Sequence, residues 1–362
     1  MPQRFHLFDP ENDLALGLGC RNYTPPPHAA ALHRAGSLFP MWWAEEGDRI
    51  LAPESLKESA TLLREKFGLN GEPGYSVEVT EFQPWGWSLD AKRQFLTAMQ
   101  QSGNSRHEEL HPTDSKIERL RELSHRRSSI KILSELDMDI ALPVEATDAD
   151  TVITLEREYP GCFIKSPWSS SGRGVFNASS LDEETLRKRA EGIINRQGSV
   201  MVERGLNKSM DFATLFHSSE GRVTFQGLSL FTALQRGMYT GNIVSSQDKI
   251  AEILSKHLNI DSLHLIILKL EKILTELIGK DYTGWAGVDM MTHISDGKEM
   301  IMPCVELNLR MTMGVAAMKI YEKLTPNGIH ILNWEHNTPI GKGEIELLPP
   351  IEGFSLRLKP QP

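Results

Sequence analysis

Apolar and polar positions along the first third of the chain switch between two periods. Phe5 to Phe8 is a short apolar run of strand type, and Pro25 to Pro27 introduce an Ala-rich segment that reads as a helix to about Ala35. Arg49 to Ala52 is again strand-like. Glu54 to Phe67 carries Leu56, Ala60, Leu63 and Phe67 at helical spacing. Tyr75 to Phe82 alternates with the period of a strand, and Ser88 opens a helix bearing Phe95, Leu96 and Met99. This βαβαβ order predicts a small parallel sheet flanked by helices. Ligands of such sheets bind beyond the carboxyl ends of the strands. The loop Asp9-Pro10-Glu11-Asn12-Asp13 falls at such an end, so Asn12 and Asp13 are candidate substrate contacts. The same residue types also serve as an Asx turn and a helix cap.

Gln100 to Pro112 is polar and reads as a linker or surface loop. A helical region from Asp114 to about Leu136 follows, then an extended segment at Ala141 to Val144 and a helix from Asp148 to Tyr159, stopped by Pro160-Gly161. Cys162 to Lys165 is strand-like and leads into a small-residue loop, Ser166 to Gly174, after which Val175-Phe176 is extended again. A lysine entering a glycine loop between strands can hold phosphates by ammonium charge and backbone N–H groups. An ordinary hairpin loop has the same composition. Leu181 to Arg196 reads as a helix, Ser199 to Leu206 as an apolar strand, and Asp211 to Leu234 as a hairpin turning at Ser218 to Gly221. Helices follow at Gln247 to His257 and Leu263 to Ile278. Beyond a helix from about Gly314 to Leu324, only weak strands are predicted, at Glu344 to Leu348 and Phe354 to Leu358.

The segment Gly284 to Gly314 reads as two strands around Asp296-Gly297, a strong hairpin signal. With that tip Asp289 is expected opposite Cys304. Residues opposite one another, and residues two apart, share a face. Asp289, Glu306 and Asn308 would therefore converge as three oxygen donors suited to Mg²⁺. Arg310 follows two residues on, and a cation site beside a guanidinium suits phosphate chemistry. An amphipathic hairpin with a solvated polar face has the same alternation. Cys304 lies on the predicted metal face and is read as a packing residue.

Composition narrows the class. A chain of 362 residues suggests more than one folding unit, and its formal net charge of −9 disfavours general nucleic-acid binding. The three cysteines lack metal-ligand or disulfide spacing. The N-terminal segment lacks a signal-peptide core, and Leu263 to Leu277 is interrupted by Lys269, Glu271 and Lys272. The expected location is the cytoplasm.

Taken in order, the motifs between Ser124 and Leu324 resemble the ATP-grasp superfamily. The first third is similar to the domain that usually precedes that fold. The resemblance implies an ATP-grasp fold of two α+β lobes preceded by a small Rossmann-like parallel-sheet domain. Its expected boundaries are 1–113, then a first lobe at 114–205, a second lobe at 206–330 and an extension at 331–362. It also implies ATP as cofactor with two Mg²⁺ ions, Mn²⁺ being an alternative.

Carried onto this sequence, Lys131 matches a phosphate-binding lysine. The usual Asp-Lys before it is replaced by Arg126-Arg127. Lys165 matches the second phosphate lysine, and Ser170, Ser171, Gly172, Arg173 and Gly174 match the glycine-rich flap. Glu203 and Leu206 match the adenine-binding hinge, and Asp211 the ribose contact. Asp289, Glu306 and Asn308 match the metal ligands. Arg310 and Arg236 match basic groups facing the reacting phosphate, so that with Lys165 they form the expected catalytic set. The activity implied is a ligase joining a carboxylate to an amine or thiol through an acyl-phosphate. Its partners are then small-molecule carboxylate and amine substrates, not nucleic acid or a membrane, and a homodimer fits. A binding-only regulatory protein and a kinase-like phosphotransferase are the alternatives.

Overall fold

The computed structural model describes residues 3–75, 79–102, 110–169, 174–233 and 239–361. The chain folds as two compact units. The first comprises 1–119, 241–246 and 310–362, the second 120–240 and 247–309.

In the first unit, β1 (Arg4–Leu7), β2 (Arg49–Ile50), β3 (Glu72–Pro73) and β4 (Glu81–Pro84) form an all-parallel sheet in the order β3-β2-β1-β4. Central β1 is apolar because helices and sheet neighbours enclose it. Phe5 and Leu7 are fully buried, and Phe82 stacks on Phe95 of the helix Leu89–Ser102 at 4.5 Å. The parallel sheet agrees with the periodicity. Of the expected strand Tyr75 to Phe82, residues 76–78 lie outside the described residues, and the described strand, β4, pairs with β1 from Arg4↔Glu81 to Leu7↔Pro84. A helix that the pattern does not predict, Asn12–Leu18, follows the Asp9 loop and ends on Gly19 in the left-handed conformation.

The second unit opens with a break. The expected helix from Asp114 to Leu136 is two, Asp114–Leu123 and Ser128–Leu136. Polar side chains stabilise the interruption. Ser128 Oγ donates to the Leu123 carbonyl at 2.7 Å, and the Arg127 N–H donates to His125 Nδ1 at 3.0 Å. Next, β5 (Val144–Ala146), β6 (Phe163–Lys165), β7 (Val175–Asn177) and β8 (Val200–Glu203) make an antiparallel sheet in the order β5-β8-β6-β7. The helices Ala149–Glu158 and Glu183–Gln197 bury Val152, Leu186 and Ala190 in one cluster with Ile164, Val200 and Val202.

β9 (Asn207–Ser219) and β10 (Arg222–Ala233) form the next hairpin, and β11 (Tyr239–Val244) follows. β12 (Gly284–Ser295) pairs with both β9 and β13 (Lys298–Asn308). The helix Ile260–Ile278 buries Leu263, Ile267, Leu270 and Leu274 on one face. Among the described residues no helix is long and apolar enough to cross a membrane. The C-terminal segment is more ordered than its sequence suggests. β14 (His330–His336), β15 (Ile345–Ile351) and β16 (Phe354–Pro360) join β11 in the order β11-β14-β16-β15.

Candidate active site

The hairpin β12–β13 turns where the sequence places it. Ser295 pairs with Lys298, and Asp296 and Gly297 both have positive φ, 50° and 73°. The register beyond differs from expectation. Asp289 stands opposite Glu306, not Cys304. Met291 pairs with Met302, so Pro303, Cys304 and Val305 stand against Met290 alone. Pro303 has no N–H to contribute to the ladder, which breaks at that point. The surplus on β13 is an even number of residues, so the faces are preserved and the two acidic residues stand directly opposite one another.

Gly287 pairs with Asn308, and Asp211 of β9 pairs with Met291. By strand alternation Asp289, Glu306, Asn308 and Asp211 share one face of the sheet. Val288, Met290 and Thr292, on the other face, are fully buried. Asp211 carries an ion pair with Lys208 at 2.5 Å. Asp289, Glu306 and Asn308 offer two carboxylates and an amide oxygen, a donor set that fits a hard divalent cation. No group of three His, Cys, Asp or Glu side chains arranged for a metal is present among the described residues. Any ion held here therefore depends on the amide and on non-protein oxygens, as Mg²⁺ sites commonly do.

Lys165, at the end of β6, is buried and forms an ion pair with Glu203, at the end of β8. Phe163↔Glu203 and Lys165↔Met201 are the ladder partners that bring them together. Cys304 is buried, and burial first, then the charges of Asp289, Glu203 and Glu306, push its thiol pKa up. Its electrostatic neighbours show that the Lys165–Glu203 pair and the hairpin carboxylates belong to one cluster. The same upward shift keeps Cys304 a neutral thiol, in keeping with a packing role.

Motif position assigns the phosphate role to the lysine of the Ser128–Leu136 helix and passes over Arg126. Lys131 is exposed and its ion partner is Glu135 at 3.7 Å. Arg126 is buried, with Nη2 3.0 Å from Glu306 Oε2 and 3.0 Å from Ser169 Oγ, while Nε donates to the Ser166 carbonyl at 3.0 Å. It thus ties the start of the Ser166 loop to the hairpin carboxylate. A signal for it exists in the sequence, in the adjacent basic residues Arg126-Arg127 just before that helix. Gly174 closes the loop with φ 87°, and its carbonyl accepts from Ser166 N–H at 2.8 Å. Leu206 is half-buried between β8 and β9. Ser170, Ser171, Gly172, Arg173 and Arg236 lie outside the described residues.

Arg310 belongs to the first unit. Its guanidinium makes a two-toothed ion pair with Asp13, with Nη2 at 2.7 Å and Nε at 3.0 Å. Gly86 packs beside this pair. A Cβ there would stand 2.4 Å from Asn12 Oδ1 and 2.9 Å from Arg310 Cβ. The Asp9–Asp13 loop and the residue following the hairpin, far apart in sequence, are therefore neighbours.

Neither a family model nor a curated protein sequence matches the chain. Solved structures do. A biotin carboxylase from Campylobacter jejuni in complex with a β,γ-ATP compound superposes with TM-score 0.55 at 12% identity, over 98% of this chain and 86% of that one. This is the ATP-grasp fold. The biotin carboxylase domain of 2-oxoglutarate carboxylase from Hydrogenobacter thermophilus, with MgADP and bicarbonate, gives 0.53 at 12% identity over 99% and 86%. An ADP complex of N5-carboxyaminoimidazole ribonucleotide synthetase gives 0.53 at 10% identity over 99% and 92%. The parallel sheet of the first unit and the antiparallel sheets of the second fit that architecture. At these identities the likeness concerns the fold.

Proposed function

We propose that the chain is an ATP- and Mg²⁺-dependent ligase that joins a carboxylate to an amine through an acyl-phosphate, releasing ADP and phosphate. The observation that carries this reading is the shared face of Asp289, Glu306 and Asn308, with Arg126 on Glu306. In this reading the three donors hold two Mg²⁺ ions, which neutralise charge on the phosphate chain. Arg126 and Lys165 bind phosphate oxygens, Glu203 and Leu206 take the adenine edge, and Asp211 takes the ribose hydroxyls. Phosphoryl transfer asks the protein chiefly for positioning and countercharge, and this donor set supplies both without a nucleophile. The loop around Ser170 to Arg173 and the bases Arg236 and Arg310 complete the proposed phosphate contacts. Small-molecule substrates and a cytoplasmic homodimer go with the same reading.

An ADP-release screen over pooled carboxylic acids and amines, with product mass measured, tests it. Release should require Mg²⁺ and one member of each pool, and the product should carry the mass of a dehydrated pair. Glu306→Gln should lower turnover by about 100-fold or more while the fold persists. Absence of pool-dependent ADP release would overturn the ligase reading.

A further inference from the structure

Within the second unit, the segment Ser166 to Ser169 fixes how Arg126 lies. Arg126 Nε donates to the Ser166 carbonyl and Nη2 to Ser169 Oγ, each at 3.0 Å, and the Arg126 backbone N–H reaches the Pro167 carbonyl at 3.3 Å. A guanidinium is a planar fork, so two acceptors at different nitrogens define its plane. The contact with Glu306 Oε2 at 3.0 Å is made from that plane. Where the guanidinium points therefore depends on where Ser166 and Ser169 are held.

Trp168 lies between these two serines and is bound by other groups. Its backbone N–H donates to Gln197 Oε1, and its carbonyl accepts from Gln197 Nε2, both at 3.1 Å. One side-chain amide thus satisfies both backbone groups of one residue, as a neighbouring strand would. The indole Nε1 donates to the Arg121 carbonyl at 3.0 Å, and the ring meets His125 edge-on with centroids 4.7 Å apart. Trp168 is 6% exposed, so its backbone groups have little water to turn to if Gln197 is lost. Gln197 is itself held in place. It ends the helix Glu183–Gln197, which stops on Gly198 at φ 87°, and the next residue, Ser199, meets His125 Nε2 at 3.2 Å.

We propose that Gln197 is a positioning residue for the phosphate-binding site. By clamping Trp168 it fixes Ser166 and Ser169, and through them it aims the Arg126 guanidinium at Glu306 and the phosphate chain. Gln197 makes none of the contacts of the proposed site, and its effect passes wholly through Arg126. A displacement of about 1 Å at a charged contact is enough to cost much of its effect. The inference rests on the ATP reading of the site and adds the residue that sets its geometry.

The test is calorimetric titration of the full chain with Mg²⁺ and β,γ-imido-ATP, which binds without turnover. Gln197→Met, near-isosteric but without either hydrogen bond, should weaken binding by about tenfold. Gln197→Glu still accepts from the Trp168 N–H but sets an oxygen against its carbonyl, and should weaken binding likewise. In an Arg126→Ala background, Gln197→Met should change the remaining affinity by less than about twofold, because the two residues act in one chain of contacts. Val152→Ala, in the core of the same unit and fully buried, lowers stability without touching the clamp and should leave affinity unchanged. Urea unfolding shows that each variant is folded at the titration temperature. Additive losses in Gln197→Met and Arg126→Ala would overturn the proposal. So would unaltered affinity in both Gln197 variants, or an equal loss in Val152→Ala. If the unmodified chain binds the analogue and the Gln197 variants bind it equally well, the clamp is wrong and the ATP reading stands. If the unmodified chain does not bind it, the ATP reading falls and the clamp with it.

Discussion

The Arg126 guanidinium lies 3.0 Å from the Glu306 carboxylate, although 180 residues separate the two in sequence. Arg126 is buried, so this pair is desolvated and its loss takes a buried countercharge away from Glu306. Lys131, the residue indicated by motif position, is 55% exposed along its side chain. Arg126→Ala should therefore lower Mg-dependent ADP release by about 100-fold, and Lys131→Ala should change it by less than about threefold. Steady-state ADP assays on the two variants decide between them. Equal loss in both would restore Lys131 to the phosphate site.

Gly86 is fixed by what surrounds it. An added methyl group would collide with Asn12 Oδ1 at 2.4 Å and with Arg310 Cβ at 2.9 Å. Asn12 is buried and Arg310 is held by Asp13, so neither can yield freely. Gly86→Ala should cost about 1–3 kcal/mol in urea unfolding. It should also displace Arg310 and reduce turnover, whereas Gly68→Ala, a helix-end position with open space around it, should leave turnover unchanged.

These two cases mark what is legible in the sequence. Local pattern places the hairpin tip at Asp296-Gly297, the parallel sheet and most helices, because turn chemistry and periodicity are short-range properties. It also places Asp289, Glu306 and Asn308 on one face, although for an incomplete reason. The register slips at Pro303, and only because the slip is even does the face survive. Arg126 is hidden because helical periodicity runs through 114–136, and the break at 124–127 depends on polar contacts made after folding. β11 and β14 escape for another reason. They pair with each other across 86 or more residues of chain, as in Val244↔His330, and neither shows strong local alternation. The Asp13–Arg310 pair, 297 residues apart, has no local signature either.

His125 carries a pH dependence with a definite sign. It is buried, its Nδ1 accepts from the Arg127 N–H at 3.0 Å, and Nε2 lies 3.2 Å from Ser199 Oγ. Burial first, then the Arg127 charge, with Arg121 and Arg126 adding and Glu145 opposing, lower its pKa to about 4. In the unfolded chain the ordinary value is about 6.5. The unfolded state therefore binds more protons between these values, and stability is lost as pH falls through that window. Urea midpoints measured from pH 7 to pH 4 should decline. His125→Gln, which cannot take the proton, should show a shallower decline and a lower midpoint at pH 7. Parallel profiles for the two proteins would exclude His125 as the source.

Asp48, just before β2, ties β1 to the start of β2 through one carboxylate. Its oxygens accept from the backbone N–H groups of Arg4 and Glu45, each at 2.9 Å, and from His6 Nε2 at 2.9 Å. Burial raises the pKa, but the His6 contact and the two backbone donors outweigh it, and the net shift is downward. Removing the carboxylate strands three donors around a side chain that is 1% exposed. Asp48→Ala should thus cost about 3 kcal/mol or more, and Asp48→Asn less, because the amide oxygen still accepts one or two of these bonds. The downward shift also makes the contribution of Asp48 present at neutral pH and lost as pH falls below the ordinary carboxylate value. Urea unfolding of both variants at pH 7 and about pH 3 checks each point. The gap between wild type and Asp48→Ala should narrow at the lower pH, and a constant gap would mean that the carboxylate acts by shape and not by charge.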